Sequence, residues 1–247
     1  MRYLILSDLH ANWDALEAVL QQAEGHYDRV ICCGDVVGYG ADPDAVTEWV
    51  RQNVTAIVRG NHDKACAGLE DLEWFNPVAR AAAIWTQTVT QPRNIEYLRQ
   101  LVRGPEQVNG FQILHGSPLD EDEYVISELD AAHAAPYLDA SVNFFGHTHV
   151  QGGFLCHRNG VKRLRKLVCL GEAGDPLELD QDCNYLINPG AVGQPRDGDP
   201  RAAYAIYDVA NKMVNFYRAV YNVVSAQRKI VEAGLPELLA SRLASGN

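Results

Sequence analysis

The chain has 247 residues, with 21 Lys and Arg against 32 Asp and Glu, a formal net charge of −11, and 47% apolar residues. That length buries a full core, and the acidic excess argues against broad, salt-sensitive binding to nucleic acid, which needs a basic face. No apolar run approaches the roughly 18–20 residues that span a bilayer. Met1–Ser7 is too short for a signal-peptide core, and Asp8 and His10 interrupt it at once. Cys32, Cys33, Cys66, Cys156, Cys169 and Cys183 form no C-x-x-C pair. A cytoplasmic protein with buried, reduced thiols is therefore expected.

In chain order, Arg2–Leu6 reads as a strand and Trp13–Gln22 as a helix. Arg29–Cys33 is the next strand, and Asp42 and Pro43 supply the N-cap and first position of a helix running to about Gln52. Thr55–Val58 is a third short β-branched run. Strands alternating with helices in this way predict βαβαβ and a mostly parallel sheet covered on both faces. Residues from Lys64 to Arg103 read as one or two helices carrying Trp74, Phe75, Trp85 and Tyr97. Asn109-Gly110 between apolar stretches marks a hairpin. A helix near Ser127–Tyr137 precedes a strand at Ser141–Phe145. Asn159-Gly160 marks a second hairpin, joining Gly152–Cys156 to Lys162–Leu170, and Ala202–Val209 with Lys212–Ala219 forms a third. Two helices follow, at about 222–233 and 236–243. With no repeat, low-complexity tract or linker, one domain over residues 1–247 is expected, with a helical insertion at about 64–103 and C-terminal helices at about 222–243. A βαβ half followed by a more antiparallel half fits two sheets packed face to face with helices outside.

Metal-ligand residue types recur at the ends of these strands. Asp8 and His10 follow the first, Asp35 the second, and Asn61, His62 and Asp63 the third. His115 ends the strand Phe111–Leu114, and His147 and His149 follow Val142–Phe145. Ligands of open α/β sheets bind outside the carboxyl ends of strands, so five strands deliver Asp, Asn or His to one edge. In extended chain, residues two apart share a face, so Asp8 with His10, and His147 with His149, can each offer two ligands to one ion. Carboxylate, imidazole and amide ligands without thiolate suit Mn²⁺, Fe or Zn²⁺ better than copper.

Taken together, Asp8-Leu-His10, Gly34-Asp35, Gly60-Asn61-His62-Asp63, His115-Gly116 and Gly146-His147-Thr148-His149 resemble the calcineurin-like metallophosphoesterase superfamily, in its small bacterial and archaeal branch. The resemblance implies a four-layer α/β/β/α sandwich of two mixed sheets flanked by helices. It implies that Asp8, His10 and His149 bind one divalent cation, that Asn61, His115 and His147 bind a second, and that Asp35 bridges them. Mn²⁺ is the first expectation for both ions, with Fe, Zn²⁺ or Ni²⁺ as alternatives. Two such cations, ~3.5–4 Å apart, clamp a phosphoryl group and lower the pKa of a bound water, whose hydroxide attacks phosphorus in line. His62 would stabilise the transition state or protonate the leaving oxygen, with Asp63 orienting it.

The second motif reads Gly34-Asp35-Val36-Val37-Gly38-Tyr39-Gly40. It lacks the Asp-Arg pair that extends it in the superfamily's protein Ser/Thr phosphatases, which disfavours a phosphoprotein substrate. The Gly/Pro-rich stretch Asn188–Asp197 resembles a segment of the same branch, and Arg196 within it could make bidentate contact with phosphate oxygens. Trp13, Tyr39, Trp74 and Phe75 could stack on a nucleobase or belong to the core. Asp120-Glu121-Asp122-Glu123 reads as a solvated loop. The expectation is a metal-dependent hydrolase of a small soluble phosphodiester or nucleotide-type ester, without a membrane or nucleic-acid partner. A phosphomonoesterase, a nuclease and a non-catalytic scaffold on the same fold are the rivals, and oligomeric state is not legible.

Overall fold

A computed structural model describes residues 1–165, 167, 169 and 174–247, with only the backbone of Trp74. The first strand, β1 (Arg2–Leu6), is followed by α1 (Trp13–Ala23), β2 (Arg29–Cys32), α2 (Pro43–Asn53) and β3 (Val54–Ile57). β1 pairs with β2, and β2 with β3, in parallel, as the alternation predicts. The insertion holds α3 (Asn61–Cys66), a 3₁₀ turn, α4 (Pro77–Val89) and α5 (Pro92–Gln100). Its first helix therefore begins inside the Gly-Asn-His-Asp motif rather than after it. β4 (Glu106–Val108) and β5 (Phe111–Ile113) form the first hairpin, in which Asn109 and Gly110 both take positive φ, as a type I′ turn requires. Next come α6 (Glu128–Ala134), β6 (Val142–Phe144), β7 (Gly152–His157), β8 (Gly160–Arg163), β9 (Asp175–Glu178) and β10 (Asn184–Asn188). The chain closes with β11 (Ala202–Asp208), β12 (Met213–Ala219), α7 (Val223–Glu232) and α8 (Glu237–Ser245).

The strands make two mixed six-stranded sheets, ordered β3-β2-β1-β11-β12-β9 and β4-β5-β6-β10-β7-β8. Both sheets are mixed, as expected, and in chain order a parallel βαβ half is followed by a more antiparallel one. The last hairpin returns to lie antiparallel to β1 and completes the first sheet. β9 and β10 were not expected as strands. β10, whose Tyr185–Asn188 are all buried, sits between β6 and β7 in the second sheet. The Asn159-Gly160 hairpin also differs, because His157 pairs with Gly160 and the tight turn is Arg158-Asn159. Its second arm ends at Arg163, and part of the expected run to Leu170 lies outside the described residues.

Alternation along the strands builds the layers. Tyr3, Ile5, Ile31, Phe111, Phe144, Ile187, Ala205 and Phe216 form the core between the sheets. Leu4, Leu6, Val30, Tyr204 and Ile206 face the outer helices through Leu16, Val19, Val46 and Val50. On the far side, α6 packs through Ala131 and Ala134 against Phe145, Phe154 and Leu186. The result is an α/β/β/α sandwich with most of its helix on one side. Asp42 occupies the expected N-cap of α2, yet its carboxylate makes no cap bond. It binds Lys229 of α7 at 2.9 Å instead, because that ammonium lies between Asp42 and Asp14.

Candidate active site

The loops that leave the carboxyl ends of β1, β2, β5 and β6, with the start of α3 after β3, meet at one edge of the sandwich. Asp8, His10, Asp35, His147 and His149 all have φ between +46° and +65°. Each such left-handed residue costs about 1–3 kcal/mol, which is tolerated only where neighbouring structure enforces it. Here the loops hold one another. Asp8 N donates to Gly34 O (3.0 Å), His10 N to Asp35 O (2.9 Å), Gly146 N to His115 O (2.8 Å) and Gly193 N to Asp8 O (2.9 Å). Gly60 is required by close approach, since a Cβ there would lie 2.1 Å from Asp35 Oδ1.

Two groups of buried ligand atoms result: Asp8, His10, Asp35 and His149, and Asp35, His115 and His147, each with its atoms within 4.8 Å of one another. Asp35 belongs to both. Its Oδ2 lies 3.5 Å from His10 Nε2 and 3.4 Å from His115 Nε2. Asn61 Oδ1 stands 3.3 Å from His115 Nε2, on the side of the second group. The seven expected ligands are thus brought together.

Backbone carbonyls orient the imidazoles. His10 Nδ1–H donates to Val37 O (3.1 Å), His149 Nδ1–H to Gln194 O (2.6 Å) and His115 Nδ1–H to Cys33 O (2.8 Å). His147 is reversed, its Nε2–H donating to Asp122 O (3.1 Å), which leaves Nδ1 for the centre. Such bonds set the tautomer and turn the other nitrogen inward as a lone pair. His10 Nε2 and His149 Nε2 then face each other at 3.0 Å. Asp8 Oδ2 and Asp35 Oδ2 are buried without a hydrogen-bond partner. Lone pairs and orphaned carboxylate oxygens facing inward are a donor set for cations, so the residues fit two divalent ions.

Electrostatics agree with a site that lacks positive charge. Burial lifts Asp8 to about 7 and holds His10 and His149 well below the ordinary imidazole range. Burial, with the charge of His115, brings His147 to about 3. His115 is the exception: burial opposes its charge, but the Asp35 and Asp8 carboxylates raise it to about 10.

Two expected residues differ in their surroundings. His62 is buried between Tyr39 (ring centroids 4.3 Å apart) and Phe75 (5.7 Å), its Nδ1 has no partner, and burial lowers it to about 4. Asp63 does not face the ring it was expected to orient. As the third residue of α3, it accepts from Gly60 N (3.0 Å), Val36 N (2.8 Å) and Val37 N (3.2 Å). It thereby caps the helix and clasps the Asp35 loop.

Arg196 lies over Tyr39, its guanidinium carbon 5.6 Å from the ring centroid, and donates to Tyr39 Oη at 3.3 Å. It approaches the histidines of the first group. Trp13 instead packs into the outer-helix core, and the side chain of Trp74 lies outside the described residues. The acidic stretch is solvated at Asp120 and Asp122, as expected, but not at Glu121. Glu121 is only 6% exposed and forms a two-pronged pair with Arg59 (2.8 and 3.3 Å), while Lys64 binds Asp122 (2.6 Å). The stretch is partly ion-paired and, through Asp122 O, supplies the carbonyl that orients His147. Gln194 and Tyr124 were missed. Gln194 orients His149 through its backbone oxygen, which carries no side-chain signal, and its Oε1 accepts from Arg196 at 3.3 Å. Tyr124 stacks on His147 (3.8 Å, 27°) and its position beside the acidic run could have drawn notice.

Comparison with known proteins adds four findings. The model of the calcineurin-like phosphoesterase superfamily domain matches residues 1–212. An uncharacterized protein of Methanocaldococcus jannaschii is 33% identical, over 98% of this chain and 97% of its own. The crystal structure of a metallophosphoesterase from Sphaerobacter thermophilus is 41% identical, with a TM-score of 0.85 over 100% of this chain and 99% of that one. A hypothetical protein from Pyrococcus horikoshii shares the fold at 17% identity, with a TM-score of 0.78 over 100% and 98% of the two chains.

Proposed function

The chain belongs to the calcineurin-like phosphoesterase superfamily, and from that premise we propose a dinuclear metal-dependent phosphoesterase that hydrolyses a small phosphodiester or nucleotide-type ester. In this scheme Asp8, His10 and His149 hold one cation, Asn61, His115 and His147 the other, and Asp35 both. Two divalent ions, when bound, would supply charge to the phosphoryl oxygens and acidify a water. The observation that supports the scheme best is Asp35 Oδ2, buried without a hydrogen-bond partner and within 3.5 Å of a histidine from each group.

The remaining roles belong to the chain itself. Burial keeps His62 neutral, so it first donates an N–H hydrogen bond to a phosphoryl oxygen. The negative charge of a bound phosphate raises the pKa of His62, so that it takes up a proton from solvent and passes it to the leaving oxygen as the P–O bond breaks. Arg196, anchored over Tyr39, presents its guanidinium fork to the phosphate oxygens. Asp63 holds the loop of Asp35 to the start of α3, and one domain over residues 1–247 carries the whole. The six unpaired, buried cysteines fit a cytoplasmic setting, and among the described residues no helix is long and apolar enough to cross a membrane.

The test uses chelator-stripped protein reloaded with Mn²⁺ and assayed on bis-p-nitrophenyl phosphate and the p-nitrophenyl monoester. Metal-dependent release, faster from the diester, is expected, and Asp35→Asn should abolish it with a loss of bound metal. Monoester preference would make the protein a phosphatase. No release from either ester, with two ions bound per chain, would favour the non-catalytic scaffold.

A further inference from the structure

Beside the ligand cluster lies a cavity of about 260 Å³. Asn61 and His62 form its inner end, and Tyr39, Phe75 and Tyr124 contribute rings to its walls. The helical insertion supplies one side, through Phe75 ahead of α4 and the small Ala79 on its first turn. The loop after β5 supplies the other, through Tyr124. That ring is 48% exposed although it stacks on His147. A large, flat side chain held in water against a ligand-bearing histidine offers its free face to whatever enters.

The charge around the mouth narrows the occupant. Glu70 and Asp122 line it, and both pair with Lys64 (3.2 and 2.6 Å), which also meets Glu121 at 3.4 Å. Arg59 pairs with Glu121 as well. Arg59 and Lys64 thus pair with these three carboxylates, and Arg196, which reaches both Tyr39 and Tyr124, adds a third cation beside them. A neutral ring bearing N–H donors meets aromatic faces and carboxylate acceptors.

Building on the phosphoesterase assignment above, we infer that this cavity binds a flat heteroaromatic ring of the nucleobase class, carried by the ester whose phosphate the cluster holds. The insertion is then the specificity element. It places Phe75 and Ala79 where a ring joined to that phosphate would lie.

The experiment compares two diesters with the same reporter on the Mn²⁺-loaded protein: a nucleoside 5′-(p-nitrophenyl phosphate) and methyl p-nitrophenyl phosphate. The expected result is a KM at least about tenfold lower for the nucleoside ester. Phe75→Ala, which removes a wall, and Ala79→Leu, which fills the space, should each reduce the ratio of kcat/KM for the two esters about tenfold, with an unchanged far-UV spectrum. Equal KM values, or variants that leave the ratio as it was, would overturn the inference while the phosphoesterase assignment survived. If neither ester is cleaved, that assignment fails. The cavity is then tested by calorimetry of a nucleoside monophosphate against inorganic phosphate: tighter binding of the nucleotide, weakened by Phe75→Ala, supports it, and equal affinities refute it.

Discussion

Asp63 and His62 are neighbours in the chain with opposite environments. Asp63 satisfies three backbone N–H groups, whereas His62 has an unpartnered nitrogen among aromatic rings. Asp63→Asn would turn an amide N–H₂ toward one of those donors, so we expect a loss of about 1–3 kcal/mol. In a chain of this size that lowers Tm by several degrees, read by thermal melting. A shifted kinetic pKa without lost stability would instead tie Asp63 to His62. His62→Ala should lower kcat by about 10²–10⁴ while two metals remain bound, as counted by elemental analysis. Concurrent loss of metal would make His62 a ligand. At this scale the ligand types were legible because Asp, Asn and His announce their chemistry. Their orienting partners were not, since the carbonyls of Cys33, Val37, Asp122 and Gln194 could have come from any residue.

Between elements, the ion triad of α7 with α1 and α2 joins the C-terminal helix pair to the βαβ unit. Lys229 lies 2.6 Å from Asp14 and 2.9 Å from Asp42. Lys229→Ala leaves the two carboxylates facing each other, and a loss of about 1 kcal/mol is expected, seen as a Tm lower by about 2–4 °C. An unchanged Tm would mean that apolar contacts alone dock α7. Helix α1 was readable from its helical pattern, α2 from Asp42 and Pro43 at its start, and the Asn109-Gly110 hairpin from its turn chemistry. β10 was missed because Tyr185-Leu186-Ile187 is too short a run to call a strand without its partners on both sides. The burial of Glu121 was not legible because Arg59 and Lys64, which pair with it, lie some 60 residues earlier.

For the molecule as a whole, a buried cluster of lone pairs should make stability depend on metal. Mn²⁺ at about 100 times its Kd should add about 2.7 kcal/mol, and chelator should remove it. The pH dependence follows from His115. Its value in the metal-free fold, about 10, lies above the ordinary 6.5. The charged ring therefore stabilises the metal-free fold fully below about 6.5, and that contribution is lost as pH rises toward 10. An ion must displace this proton and, below about pH 7, that of Asp8, so binding tightens with pH, and the Mn²⁺-induced rise in Tm should be larger at about pH 8.5 than at about pH 6.5. A pH-independent increment would show that His115 is not a ligand.

Local order along the chain determined a great deal. The alternation of strand and helix, the residue types at strand ends and the spacing of His147 and His149 were enough for the fold class and the family, because each is a short-range property of the chain. The tertiary structure decided the rest. It completed the first sheet with the last hairpin, assigned Asp63 to backbone donors and gave the acidic run its counter-ions. It also set Phe75 and Tyr124 on facing walls of one cavity. Those outcomes depend on which distant segments meet, and that is settled by the packing of two sheets around a common core rather than by any local pattern.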